Sequence, residues 1–480
     1  MATVRFAVPP AAFEPDKPVA PKATPAVSAV PAARPGRSWG RMALQFAPLG
    51  AVTFLAKVSV PPLGARGLGI DVPIILAATF AGLVAGALHV HPARLTMYLA
   101  MLAWLGGMQL FLGEPFSATS LVLLAALFLP LTMQLRPAEG GPLPAAAAAA
   151  ADPPLLRSLG AMVSLATLFA ACGLLQFVLQ RWVGKAVAFP VEHLVPPAWL
   201  IQNFNAQIPV GPGEVQKANG VFFLEPSFFS QFMALGLLLE LSLRNRLSRI
   251  VLLGAALAVS YSGTGLVVAA LGLFGLVVVK GRWDLLLLGA LLLLVHSLLG
   301  DASPLQPLLH RMGEFRSPHS SGSARFVAWI DMFAHQWWTD PVRVLFGAGA
   351  GSFAAHAALA RQPTAEMSFA KMLFEYGVTG AVLFFGFLVY AFNSVRAPVA
   401  FRLGLCATLL VNGALVAFPV GIAASVLLWP AAAARRALAT PTPMPAPPGA
   451  APPPSAVHAS GPGPEPRPQP AAERRRETAR

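Results

Sequence analysis

NGVFFLEPSFFSQFMALGLLLEL, residues 219–241, is an apolar run of membrane length that opens on a Glu-Pro-Ser wedge. A helix of this composition is long enough to cross a bilayer. Pro226 suits its first turn, where the missing N–H costs nothing. Glu225 does not belong to a merely hydrophobic span, because an acid at the edge of hydrocarbon costs free energy. Two readings stand at this point. Glu225 and Ser227 cap the helix, the carboxylate facing the positive end of its dipole, or the carboxylate serves a site at the membrane edge.

The same composition recurs outward from this run. Of 480 residues, 56% are hydrophobic and only 11% charged, and the mean hydropathy is +0.65. Soluble chains carry roughly 25% charged residues, so a soluble fold is excluded. Apolar stretches fall near 43–60, 72–90, 95–112, 117–135, 158–181, 222–243, 247–261, 263–280, 282–299, 369–392, 398–416 and 419–434. They predict an all-α polytopic membrane protein of about twelve transmembrane helices. The net charge of +14 does not imply a nucleic-acid partner, because the basic residues sit in short loops and tails rather than on one face. Cys172 and Cys406 both lie in apolar runs, with neither disulfide nor metal-ligand spacing.

Residues 1–41 are rich in Pro and Ala and lack the pattern of a signal peptide, so they are expected to form a disordered cytosolic arm. Residues 436–480 read as a similar tail, and Arg136–Pro154 as a loop between spans. The membrane domain is expected over 42–435. Arg34, Arg37, Arg41, Arg94, Arg136, Arg157, Arg244, Arg246, Arg249, Lys280, Arg282, Arg396, Arg435 and Arg436 alternate with the spans so as to leave both termini in the cytosol. No internal repeat favours a transporter built from inverted halves. Two outer segments, about 182–221 and 300–368, are too long for plain turns and mark the functional side.

Both outer segments hold ionisable residues beside the membrane. Lys217 precedes Glu225 by eight residues and is a cation suited to phosphate. In the second segment, Ser323 reads as an N-cap, with Phe326, Ile330, Phe333 and Trp337 on one face and Asp340-Pro341 ending the pattern. This predicts a helix lying on the membrane, aromatic face down. Arg325, in its first turn, is either an interfacial anchor or a planar fork for phosphate oxygens. GAGAGS, residues 347–352, lacks both the preceding strand and the lysine of a nucleotide loop, so it reads as a tight turn at the membrane. His356 reads as a solvated histidine, and His89 and His91 lack the further ligands a metal site needs. Glu366 stands just before the 369–392 span without a local partner, whereas Lys371 and Glu375, four apart, can neutralise each other.

The order KANGVFFLEPS, LAVSYSGTG, ARFVAW, FGAGAGSF and FEYGVTG, over roughly residues 217–380, resembles the O-antigen ligase and O-antigen/exopolysaccharide polymerase (Wzy-like) superfamily. The resemblance implies a GT-C-like glycosyltransferase of the bacterial inner membrane. Such an enzyme takes a glycan from undecaprenyl diphosphate and joins it to an acceptor sugar at the outer face, without metal, nucleotide or other cofactor. It implies Arg325 on the lipid diphosphate, with Lys217 standing where many members carry another arginine. Glu366 stands where ligases usually have a histidine, counted back from Glu375 and Gly377. That departure, with the LEPS and YSGTG forms, is closer to exopolysaccharide polymerases. Glu366 or Glu225 is then the base, and Arg325 and Lys217 bind diphosphate. Implied partners are the lipid-linked glycan, the bilayer, a chain-length regulator and other polysaccharide-assembly proteins. A ligase acting on lipid A-core is the alternative within the family, and a flippase of lipid-linked sugars the alternative from another class.

Overall fold

The computed structural model describes residues 36–61, 67–112, 115–136, 153–202, 204, 207–210, 215–300, 306, 320–412 and 416–431. The expected tail 436–480, most of the expected arm 1–41 and most of the loop Arg136–Pro154 lie outside the described residues. The first helix, Gly36–Phe54, begins inside the stretch expected as arm.

Each apolar stretch read from the sequence carries a helix. Five are long and apolar enough to cross a membrane: Pro92–Leu112, Pro154–Leu179, Pro226–Leu243, Gly263–Lys280 and Ser368–Asn393. Shorter apolar helices run Ala43–Phe54, Asp71–Val84, Ala118–Thr132, Leu247–Val259, Trp283–Leu299, Val399–Val411 and Ala417–Leu428, the last ending as a π-helical turn. This is an all-α membrane protein that carries, among the described residues, a small two-stranded sheet. Leu88–Val90 pairs antiparallel with Met133–Leu135, where the sequence predicts the ends of two spans.

Arg94 explains why that corner closes. Placed by the sequence among the basic residues of the cytosolic segments between spans, it is buried. Its guanidinium donates to the carbonyls of Met133 at 3.2 Å and Leu428 at 3.5 Å, and to Ser394 Oγ at 3.0 Å. A buried guanidinium needs such a set of acceptors, and here they tie the strand pair to two distant helices.

The run that opens the sequence reading becomes the central helix, Pro226–Leu243, buried along nearly its whole length. Helices Pro153–Leu179, Leu247–Val259, Gly263–Lys280 and Val399–Val411 pack around it. A helix apolar on every face is satisfied by enclosure in protein or by lipid, and this one is enclosed in protein. Phe223, Phe232 and Phe418 meet with ring centroids 5.3–6.1 Å apart, pairs worth about 0.5–1.5 kcal/mol each. The Trp283–Leu299 helix is the opposite case, with no buried residue.

Candidate functional site

The Glu-Pro-Ser wedge folds as an extended residue leading into a helix. Glu225 occupies the N-cap position at φ −140° and ψ 162°, Pro226 is the first helical residue, and the Glu225 side chain makes no capping hydrogen bond. Its Oε2 instead accepts from Ser227 Oγ at 3.0 Å and from Arg325 Nη2 at 2.8 Å. The Glu225 and Arg325 side chains are 11% and 28% exposed. One oxygen thus ties the central helix to a residue one hundred positions later. A guanidinium has five N–H donors, so this bond leaves Arg325 donors for a second anion.

Arg325 sits on the short helix Ser321–Phe326, capped by Ser320, whose Oγ accepts from Ser323 N at 3.0 Å. Ser323 is therefore not the cap: it lies in the first turn and supplies the donor. The expected single helix breaks at Val327 (φ −120°, ψ −47°) and resumes as Ala328–Gln336. Its aromatic face does not lie on lipid. Phe333 and Trp337 pack with Met332, Met367, Ala370 and Phe374 over the start of the Ser368–Asn393 helix, and Ile330 points away, 51% exposed. Asp340 ends the pattern as expected and caps Pro341–Phe346, accepting from Val342 N and Arg343 N.

Glu366 departs from the expectation that it has no local partner. Its carboxylate pairs with the Lys371 ammonium, which also reaches Glu375 Oε1 at 3.0 Å. The side chains are 42% exposed for Glu366, 7% for Lys371 and 1% for Glu375. Lys371 is thus an enclosed cation between a half-exposed carboxylate at the rim and a buried one below. Backbone and ring contacts bring this triad to Arg325: Ala365 N donates to Ala324 O at 2.9 Å, and Trp329 meets Phe369 edge-on at 5.6 Å. Glu366 also lines a cleft of about 360 Å³ with Phe353, Ala354, Ala357, Ala358, Pro363 and Thr364.

GAGAGS does more than turn the chain. The helix Ser368–Asn393 loses helical geometry at Gly377, φ 66° and ψ −176°, and the glycine loop closes on that break. Ala348 N and Gly349 N take the carbonyls of Phe374 and Glu375 at 2.8 and 3.1 Å. The two backbones touch so closely that a Cβ on Gly347 would lie 2.3 Å from Glu375 C, and one on Gly377 2.3 Å from Leu345 O. Glu375 Oε1 in turn accepts from Phe353 N at 3.2 Å. The loop therefore fixes Glu375, and Glu375 fixes Lys371. His356 is not a solvated histidine. Its ring packs on Phe374 at 4.9 Å and its Nδ1 meets Ser352 O at 2.9 Å.

Lys217 is buried, its backbone N–H bonded to Ile208 O at 2.8 Å. The segment that carries it to Glu225 is held by side chains the sequence reading missed. Gln180 brackets Gln216 with bonds of 2.6 and 2.9 Å, and Gln176 brackets Asn219 with bonds of 2.9 and 3.0 Å. Lys57 Nζ pairs with Glu192 Oε1 at 2.6 Å and also donates to Val221 O, whose residue stands at φ 71°. Lys57 could have been found: it is a charge inside the 43–60 run, and such groups have partners.

Among the described residues no group of three or more His, Cys, Asp or Glu side chains is placed to hold a metal. Compared with known proteins, the chain matches no family model, no curated protein and no solved structure.

Proposed function

We propose that this chain is a bacterial inner-membrane glycosyltransferase that polymerises oligosaccharide repeat units carried on undecaprenyl diphosphate, with about twelve spans, cytosolic termini and a GT-C-like architecture. The observation that carries this reading is the 2.8 Å contact between Arg325 and Glu225. It joins two segments whose motifs resemble the polymerase superfamily, at the head of a buried helix and beside an acid–base cluster.

Arg325, oriented by Glu225, turns its remaining donors to the diphosphate, whose negative charge grows as the anomeric C–O bond breaks. Glu366, the most exposed of the three carboxylates, takes the proton of the attacking sugar hydroxyl as the new glycosidic bond forms. Undecaprenyl diphosphate leaves with the electron pair. Charges gathered at one edge suit a transferase better than a carrier, whose ionisable groups line a mid-membrane path.

The test is purified protein in detergent or liposomes, given lipid-linked repeat units with chelator and without nucleotide. A ladder of longer lipid-linked glycans supports polymerase. Transfer only to added lipid A-core replaces it with ligase, and movement across the bilayer without new bonds replaces it with a flippase. Reporters fused at Thr440 and near Pro318 are expected on opposite sides of the membrane.

A further inference from the structure

Lys371 stands in the first turn of the Ser368–Asn393 helix with its side chain enclosed. A cation there opposes the helix dipole, and an enclosed ammonium is costly unless paired. Glu375 alone nearly meets that need. It is buried, holds Lys371 at 3.0 Å, and is itself fixed by Phe353 N. Glu366 is a second counter-ion of another kind, lying outside the helix with 42% of its side chain in the open. It can leave Lys371 for solvent, because its own carboxylate is already partly hydrated and Glu375 stays behind to hold the ammonium.

Arg325, by contrast, pairs with Glu225 and retains donors for an anion. Around Lys371 there are two carboxylates for one cation. A dianion approaching Lys371 is repelled unless one of them withdraws. Of the two, Glu366 is the one not buried.

On the reading of the site as a lipid-diphosphate glycosyltransferase, the geometry points to Lys371 as a second diphosphate-binding residue and to Glu366 as the counter-ion that the diphosphate displaces. Displacement leaves Lys371 anchored by Glu375 and frees the Glu366 carboxylate to accept a proton. The base is thus released only when the donor is in place.

The probe is farnesyl diphosphate in detergent, with inorganic pyrophosphate as a separate arm, its affinity measured by equilibrium dialysis against intact, full-length protein. Glu366→Gln is expected to bind the probe roughly two- to tenfold more tightly than the wild type while losing turnover, because a competing anion is gone. Lys371→Met with Glu375→Gln keeps the buried pair neutral. In that background, adding Glu366→Gln should bring no tightening, and melting curves establish that each variant folds. Tightening for both probes places recognition in the diphosphate itself; tightening for farnesyl diphosphate alone places it in the lipid-linked form. Wild-type binding that Glu366→Gln leaves unchanged or weakens overturns the inference alone, as does tightening that persists without Lys371. Failure of wild-type protein to bind either probe overturns it together with the glycosyltransferase reading.

Discussion

Gln231 and Asn412 exchange both hydrogen bonds of their side-chain amides, at 3.0 and 2.8 Å, in the interior of the protein. The Asn412 carbonyl also accepts from the backbone and hydroxyl of Ser368, the first residue of the broken helix. The pair therefore sets the helix that begins after Glu225 against the helix that carries Lys371 and Glu375. Gln231→Leu would strand the Asn412 amide in an apolar interior, and the expected cost is about 1–2 kcal/mol. Pairing it with Asn412→Leu should recover part of that loss. Thermal melts of the two single variants and the double variant in detergent measure the coupling. Strict additivity would mean that the amides do not cooperate.

Arg325 is expected to act through its fork. One Nη2 is committed to Glu225 while the guanidinium keeps further donors, so a compact ammonium at that position cannot hold both partners in plane. Arg325→Lys should restore little of the polymer synthesis that Arg325→Ala removes. Protein level and melting temperature, taken alongside, separate lost chemistry from lost folding. Near-normal synthesis by both variants would return Arg325 to the role of interfacial anchor.

What the sequence made legible was local. Glu225 before Pro226 announced a helix start, and Lys371–Glu375 obeyed the four-residue spacing at 3.0 Å. Glu366 escaped because helical spacing rules do not apply to a residue two positions before the helix begins. The Arg325–Glu225 contact spans one hundred residues, and no pattern along the chain encodes such a pairing. Arg94 misled for a related reason. A basic residue beside an apolar run reads as part of a loop between spans, and the acceptors at Met133, Ser394 and Leu428 come from segments far apart in sequence. Glycines 347–351 were read as a tight turn because their purpose, closing on Gly377, is visible only where two backbones meet.

That meeting gives a prediction about glycine itself. At Gly377 a Cβ would lie 2.3 Å from Leu345 O, at a φ of 66° that L residues adopt at a cost. Leu345 O also accepts from Thr379 Oγ1 at 2.7 Å, so it is not free to withdraw. Gly377→Ala should destabilise the protein by roughly 1–3 kcal/mol. It should loosen the loop that holds Glu375, visible as faster hydrogen exchange at Ala348 and Gly349, whose N–H groups take the Phe374 and Glu375 carbonyls. Gly386, farther along the same helix with nothing within 4 Å of its would-be Cβ, is the control, and Gly386→Ala should be neutral or mildly stabilising.

The carboxylates divide by their surroundings. Glu225 is enclosed and bonded to Ser227 and Arg325, which suits a group that orients the guanidinium rather than one that collects protons. Glu366 reaches the open cleft. Removing basicity while keeping shape, Glu366→Gln should lower turnover on the order of 100-fold or more at saturating lipid-linked donor. Glu225→Gln keeps a hydrogen-bond acceptor for Arg325 but loses its charge. It should raise the donor KM more than it lowers kcat. Both are read from initial rates of glycan extension across a donor series, with chelator present. If Glu225→Gln abolishes turnover at saturating donor while Glu366→Gln keeps it, the two roles are exchanged. If both variants keep full turnover, neither Glu225 nor Glu366 serves as base, and departure of the diphosphate without their help drives the reaction.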